Sequence, residues 1–260
     1  MSASPREIMA AKLFFNAVFP IMQVLMNDDP KLNKQFKDFA GVVQFGAKND
    51  GELLAVTLNF DKGKLNVVQG PAESYDLALT FSSVEKMNAL LRGGLALPAI
   101  KGKVSMLPRI LSLLMGLMIM SPKKKPREPE KQALKVKCSL YMIVRALSVY
   151  NKLGDSDMHA WCLRQPDRIY QFSVEPYPET GIACYLRVKA GNSKSGRGIY
   201  ERRRPFVHFH FLSVEGAMKV LLKEVEFVAA VEKGYVETIG APEYAVQLND
   251  FMSILQSMLT

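Results

Sequence analysis

The chain has 260 residues, 48% hydrophobic and 23% charged, with a formal net charge of +9 and a pI of about 9.4. This size and balance describe a globular protein of one large or two ordinary domains and exclude a disordered chain. The three cysteines, Cys138, Cys162 and Cys184, are too few and too scattered for a disulfide framework.

The basic excess is spread evenly. Residues 1–130 hold 17 Lys+Arg against 12 Asp+Glu, and residues 131–260 hold 17 against 13. Such a balance favours acidic partners, nucleic acid or anionic headgroups, without choosing between them. The opening MSASPREIMAAKLFF has an acidic residue among its early charges and no clear cleavage site, so the expected location is cytoplasmic.

In chain order, an apolar helix is predicted over about 6–27. Its core, LFFNAVFPIMQVLM (13–26), carries Asn16, Gln23 and a central proline, and falls short of the roughly 20 apolar residues needed to cross a bilayer. A short polar helix, DPKLNKQFKDF, follows. ELLAVTLNF places Leu54, Val56, Leu58 and Phe60 on one strand face, FDKGKLNVV supplies a Lys-Gly turn, and YDLALTF turns Tyr75, Leu77, Leu79 and Phe81 inward. Ser83 caps a helix reaching Leu91. A strand at about 99–106 leads to a terminal helix in which Ile110–Met120 has one polar side chain, Ser112. That run is also too short to span a membrane and must be covered by protein or ligand.

The plan then repeats. Phe81, Ser83, Val84 and Glu85 recur as Phe211, Ser213, Val214 and Glu215, each shifted by 130. VQFG at 43–46 is echoed by YQFS at 170–173. The second half has a helix at about 133–152, a polar helix DSDMHAWCL, and strands turning Tyr170, Phe172 and Val174, then Ile182, Cys184, Leu186 and Val188, then Val207, Phe209 and Phe211 inward. A last strand is expected at about 232–239. The fold class read from this is α+β, two tandem domains, each a mostly antiparallel sheet covered by helices on one face. The expected boundaries are 1–120, a charged linker at 121–132 (SPKKKPREPEK and Gln132), and 133–260.

The stretch LALTFSSVEKMNALLRGGLALPAIKGKVSML resembles the sterol-carrier-protein family, the type-two, non-specific lipid-transfer proteins. The shared features are a strand ending in a serine-capped helix, a Gly/Pro loop (Gly93–Pro98), and an apolar strand with a Gly-Lys element before an apolar helix. The likeness covers about 40–120 well and 168–260 loosely, since GNSKSGRGIYERRRP is longer and basic and KEVEFVAAVEKG replaces RGGLALPAIKG. The resemblance implies two sterol-carrier-like domains without catalysis or cofactor, each with an apolar tunnel for a sterol, fatty acyl chain or phospholipid, serving intracellular lipid transfer. The lipid-binding residues expected on this basis are Phe14, Phe15, Met22, Leu97, Ile100, Met106, Leu113, Leu114, Leu117 and Met118 in the first half. In the second they are Phe227, Tyr235, Ile239, Phe251, Met252 and Leu255. Lys123, Lys124, Lys125, Arg197, Arg202, Arg203 and Arg204 are expected to touch an anionic membrane or headgroup. A Met-rich stripe is equally compatible with a solid core, and a charge run with a solvated linker.

Other chemistry finds less support. GNSKSGRG departs from a phosphate loop because Gly196 is followed by Arg197-Gly198, and it is read as a flexible hairpin loop. His208 and His210 share a strand face, with His159 and Cys162 as conceivable further ligands, but surface or interface roles are favoured over a metal. No Gly-x-Ser-x-Gly elbow is present. Arg197 and Arg202–Arg204 with Tyr200 hold ingredients for nucleic-acid binding without a recognised motif. The alternative to lipid binding is a cavity-free accessory module of an enzyme of lipid or quinone metabolism.

Overall fold

The structure, a computed structural model, describes residues 2–260. The chain divides into two compact units, one running to Ser121 and including Met258–Thr260, the other Pro122–Ser257.

In the first unit, α1 (Pro5–Leu13) is capped by Ser4, whose hydroxyl accepts the Glu7 N–H. A π turn at Phe14–Val18 and a 3₁₀ turn at Phe19–Ile21 separate it from α2 (Met22–Asp28). Pro20, which lacks an N–H and whose ring crowds the preceding turn, accounts for the irregularity. The helical run is thus longer than its apolar centre suggests. Pro5–Asp28 is 24 residues long and its most apolar 18-residue window has a mean hydropathy of 1.7, enough to cross a membrane by length and composition, yet 67% of that window is buried inside the protein. Its polar residues have work there: Asn16 Nδ2 donates to Gln69 Oε1 (3.1 Å), and Gln23 donates to Gly63 O (2.9 Å) and accepts from Leu65 N (2.6 Å).

After α3 (Pro30–Phe36), capped by Asp29, come β1 (Ala40–Asn49), β2 (Glu52–Asp61), β3 (Lys64–Gln69) and β4 (Leu77–Phe81). Next are α4 (Val84–Leu91), β5 (Ala99–Gly102), a 3₁₀ turn at Val104–Met106, α5 (Leu107–Leu117) and a 3₁₀ turn at Met118–Met120. The sheet order is β3-β2-β1-β4-β5, with β1 and β4 parallel and the other pairs antiparallel. Phe15, Phe19, Phe45 and Phe81 form a chain of rings 5.2–5.8 Å apart between helix and sheet.

The second unit holds α6 (Pro129–Lys152), α7 (Ser156–Leu163), β6 (Arg168–Val174), β7 (Ala183–Lys189), β8 (Asn192–Arg197) and β9 (Val207–Phe211). It continues with α8 (Val214–Leu221), α9 (Phe227–Glu232), β10 (Val236–Gly240) and α10 (Pro242–Leu259). Its order, β10-β9-β6-β7-β8, is the first sheet's order, strand for strand, and again one pair, β6–β9, is parallel. The fold is α+β, each unit a mostly antiparallel five-stranded sheet with helices on one face. Phe172 stacks flat on Phe209 at 4.6 Å, and Trp161 packs against Tyr170 and Phe251.

Both serine caps form: Ser83 Oγ accepts the Lys86 N–H and Ser213 Oγ the Gly216 N–H, at 3.3 and 2.9 Å. Other expectations change. Tyr75 lies outside β4 and is exposed. β5 stops at Gly102 rather than 106, because Gly102 turns at φ 96° against the Asp76 carbonyl, where a Cβ would come within 2.2 Å. The expected flexible loop at GNSKSGRG is largely strand: Asn192–Arg197 pairs with β7, and Ser148 and Asn151 on α6 hydrogen-bond Ser193 O and Gly191 O. The helix expected from 133 begins at Pro129, a residue suited to the first helical position since its missing N–H would lack an intrahelical partner anyway.

One device recurs on the outer face of both sheets. Gln44 on β1 and Gln171 on β6 are buried, and each accepts a backbone N–H from the segment that crosses the sheet between hairpin and next strand: Ala72 at 3.0 Å and Tyr200 at 2.9 Å. Gln171 Nε2 also reaches Cys184 O (2.8 Å), Phe172 O (3.0 Å) and Gly198 O (3.2 Å). Leaving buried groups unpaired costs about 1–3 kcal/mol each. Gln171→Leu is therefore expected to lower unfolding stability by about 2–4 kcal/mol and to strip the Tyr200 amide of hydrogen-exchange protection, with Gln44→Leu costing about half as much. Urea unfolding followed with amide exchange measures both.

Candidate functional site

The apolar helix α5 shows two faces. Ile110, Leu113 and Leu117, at helical spacing, are buried. Gly116 admits α2 and α3: a Cβ there would lie 2.9 Å from Leu32 Cδ1 and 3.5 Å from Leu25 Cδ1. On the other face Leu111 and Met115 are exposed, with Leu114 and Met118 half-buried.

The exposed apolar row continues upstream. Leu95 and Leu97 in the loop before β5 have 101% and 93% of their surface in water, and Ile100 on β5 and Val104 are exposed as well. Met118 reaches this loop, since a Cβ on Gly93 would come within 2.8 Å of its Cε. β5 is an edge strand and all its residues are exposed. Loop, edge strand and outer helix face thus form a greasy rim from one stretch of chain, residues 95–115. The second unit repeats the pattern at the same places in its topology: Val228 and Val231 on α9, Ile239 on the edge strand β10, and Val246 and Ile254 on α10 are exposed.

A polar cleft of about 370 Å³ lies beside the first rim, lined by Lys34, Gln35, Asp38, Phe39, Asp76, Lys103, Met106 and Arg109. Lys103 Nζ bonds Asp76 Oδ1 at 2.7 Å and Val42 N bonds Oδ2 at 2.9 Å, which together hold the Asp76 carboxyl below its usual range. Arg109 lies over the Phe39 ring at 5.5 Å. Gln35 Oε1 is buried without a hydrogen-bond partner among the described residues.

The residues anticipated as lipid contacts fall into three groups. Phe14, Phe15, Met22, Met106, Leu113 and Leu117, and in the second unit Phe251 and Leu255, are buried in the cores. Leu97, Ile100 and Ile239 are exposed on the rims, while Leu114, Met118, Phe227, Tyr235 and Met252 are half-buried. The expected contacts leave out Leu95, Val104, Val228, Val231, Val246 and Ile254, and also Leu111 and Met115, although the run Ile110–Met120 is read as needing cover. The α5 members could have been found from the helical period, since an 11-residue apolar run is too wide for one buried stripe. Lys123, Lys124 and Lys125 are exposed, and Lys125 pairs with Glu224. Arg197, Arg202, Arg203 and Arg204 sit at or just beyond the β7–β8 hairpin. Arg203 pairs with Asp167, which Arg187 also grips through Nε at 2.8 Å.

His208 Nε2 lies 2.8 Å from Ser173 Oγ, and His210 Nε2 lies 2.7 Å from Glu175 Oε1. Cys162 is buried, which pushes its thiol up to about 12 and leaves it neutral, and His159 Nδ1 lies 3.2 Å from Asn151 Oδ1. Among the described residues no three His, Cys, Asp or Glu side chains are placed to hold a metal.

No protein-family model matches the chain. No curated protein matches it either. Among solved structures it is similar to the sterol carrier protein domain 2 of Helicoverpa armigera, with 19% identity over 45% of this chain and 94% of that one and a TM-score of 0.33. It is also similar to a crystal structure of sterol carrier protein 2 (17% identity, 39% and 94% covered, TM-score 0.33). A third match is a conserved hypothetical protein of Thermus thermophilus (15% identity, 45% and 87% covered, TM-score 0.27).

Burial, and then the neighbouring His210, hold the His208 imidazole below its ordinary value of 6.5. A group depressed in this way contributes stability above its unfolded value and loses it as pH falls through the lower folded value. The urea midpoint should therefore drop as pH falls below about 6.5, and His208→Gln should flatten that part of the profile. The Glu175 carboxyl, held low by the Tyr177 N–H and then by His210, acts at more acid pH, below its ordinary value of 4.5.

Proposed function

We propose that the protein binds an amphipathic lipid at the rim of its first unit and carries it between intracellular membranes. The observation that supports this is the cluster of solvent-facing apolar side chains at 95–115. Burying one leucine side chain is worth about 1.5–3 kcal/mol, so covering Leu95 and Leu97 alone would return several kcal/mol. Nothing in the unit's own packing uses them, since both lie almost wholly in water. The adjoining cleft suits a headgroup: Lys34, Lys103 and Arg109 attract an anion. The resemblance of the segment 77–107 to sterol-carrier proteins points the same way, and a tandem origin would account for the second rim. Binding in this reading is non-covalent and needs neither cofactor nor catalytic residue. The buried residues Phe14, Phe15, Met22 and Leu113 then form the floor under the lipid, and an apolar tail enters by parting α5 from the edge strand.

The open edge of β5 favours a second reading, an accessory module that adds a partner's strand to its sheet. One pair of variants separates the two. Leu97→Asp with Met115→Asp, both at exposed positions, is expected to leave the urea midpoint in place. It should lower uptake of a fluorescent fatty acid, and co-purification of lipid in native mass spectrometry, by at least about tenfold. Wild-type protein that is lipid-free and takes up no fatty acid would sink lipid binding and leave strand addition.

A further inference from the structure

The two units give the same hairpin two different charges. Residues 57–76 of the first unit hold two Lys+Arg against three Asp+Glu, whereas residues 185–204 of the second hold seven against one Glu. Ladder positions make the contrast specific. Asn59 pairs with Asn66 in β2–β3, and the corresponding β7–β8 pair is Arg187 with Lys194. Like charges placed directly opposite destabilise a ladder. The first hairpin shows that the topology forms without this opposition, and of the pair only Arg187 is offset, by Asp167.

The basic side chains surround a cleft of about 280 Å³, lined by Tyr185, Arg187, Lys194, Arg197, Tyr200 and Arg202, with Ile199 and the single carboxylate Glu201. Its walls are held in place. Asp167 clamps Arg187 through both carboxylate oxygens. Gln171 fixes the Tyr200 backbone. The Tyr185 ring lies across Gly196, where any Cβ would come within 2.1 Å of it, and meets the Tyr200 ring edge-on at 5.0 Å. Lys194, Arg197 and Arg202 have no carboxylate partner among the described residues, and Arg197 rests over the Tyr141 ring at 5.1 Å. One guanidinium held in place by Asp167 beside cations without a carboxylate partner, with two tyrosines at the wall, suits the charge of phosphate groups.

We propose that this cleft binds a small, multiply phosphorylated ligand, either free or as the headgroup of a lipid. The volume fits a compact polyanion and is at the small end for ligand sites. The two tyrosines pack against each other instead of offering successive open faces, which disfavours a nucleic-acid strand. This inference does not rest on the apolar rims and stands or falls separately from them.

The test uses the full chain with inositol hexakisphosphate, vesicles of phosphatidylcholine with phosphatidylinositol bisphosphate, and single-stranded RNA as probes, read by calorimetry and co-sedimentation. Lys194→Gln with Arg202→Gln removes two exposed charges, and Lys62→Gln with Lys64→Gln removes the same charge from the first hairpin. Hexakisphosphate should bind the wild type, weaken with added salt, and bind the first double variant about tenfold or more weakly while the second binds as wild type. Vesicle binding lost in parallel identifies a lipid headgroup, and vesicles ignored while hexakisphosphate binds identify a soluble ligand. The proposal is overturned if hexakisphosphate is not bound, if only RNA is bound, or if both double variants weaken binding equally. Far-ultraviolet dichroism and the urea midpoint show that each variant is folded. If the first double variant is not, adding hexakisphosphate to the wild type should shift the amide resonances of Lys194 and Tyr200 and leave those of Lys64 and Ala72 in place, and no such shift would equally overturn the site.

Discussion

A primary amide buried in the middle of each sheet ties the rest of the architecture together. A five-stranded sheet clad by helices on one side has a second face to deal with, and here the segment leading to the parallel strand runs across it. Such a crossing brings backbone N–H and C=O groups out of ladder register, and a buried group without a partner is costly. Gln44 and Gln171 answer this, each facing its sheet and the crossing segment at once. In the second unit the same amide ends a strand, anchors a loop and orients a tyrosine, so the geometry of the basic cleft descends from one side chain on β6.

The apolar surface follows from the opposite circumstance, a lack of cover. In each unit the helices shield the central strands, while the last strand lies at the sheet's edge and the last helix has more apolar face than its neighbours can take up. A narrower helix such as α8 conceals its stripe and turns Lys219 and Glu215 outward as an ion pair. The contrast lies in composition: α5 has leucines and methionines where α8 has a charged face. Exposed apolar side chains are normal when scattered, but a contiguous set on one segment marks a place where something else sits.

Much of this was legible in the sequence because strands and caps speak locally. Alternation located β2, β4, β6, β7 and β9, and serine before Val-Glu located α4 and α8. The repeat of Val-Gln-Phe as Tyr-Gln-Phe even carried the buried amide, although a glutamine in a strand gives no sign of whether it is buried or solvated. What could not be read depends on contacts distant in sequence. Whether GNSKSGRG is loop or strand is decided by α6, some 40 residues away, through Ser148 and Asn151. Which face of an all-apolar helix is covered is decided by α2 and α3. Apolarity alone marked Phe14 and Leu97 as equivalent, yet one is core and the other stands in water.

The first helical run carries a lesson about how such a segment finds its seat. Its surface is greasy nearly all round, so hydrophobic burial by itself would accept many rotations about the long axis. Asn16 and Gln23, seven residues or about two turns apart, both reach β3 and the turn before it. Only one rotation brings both amides to those partners. The two polar residues therefore act as a rotational key: the apolar residues decide that the helix is buried, and the amides decide which side of it faces the strands.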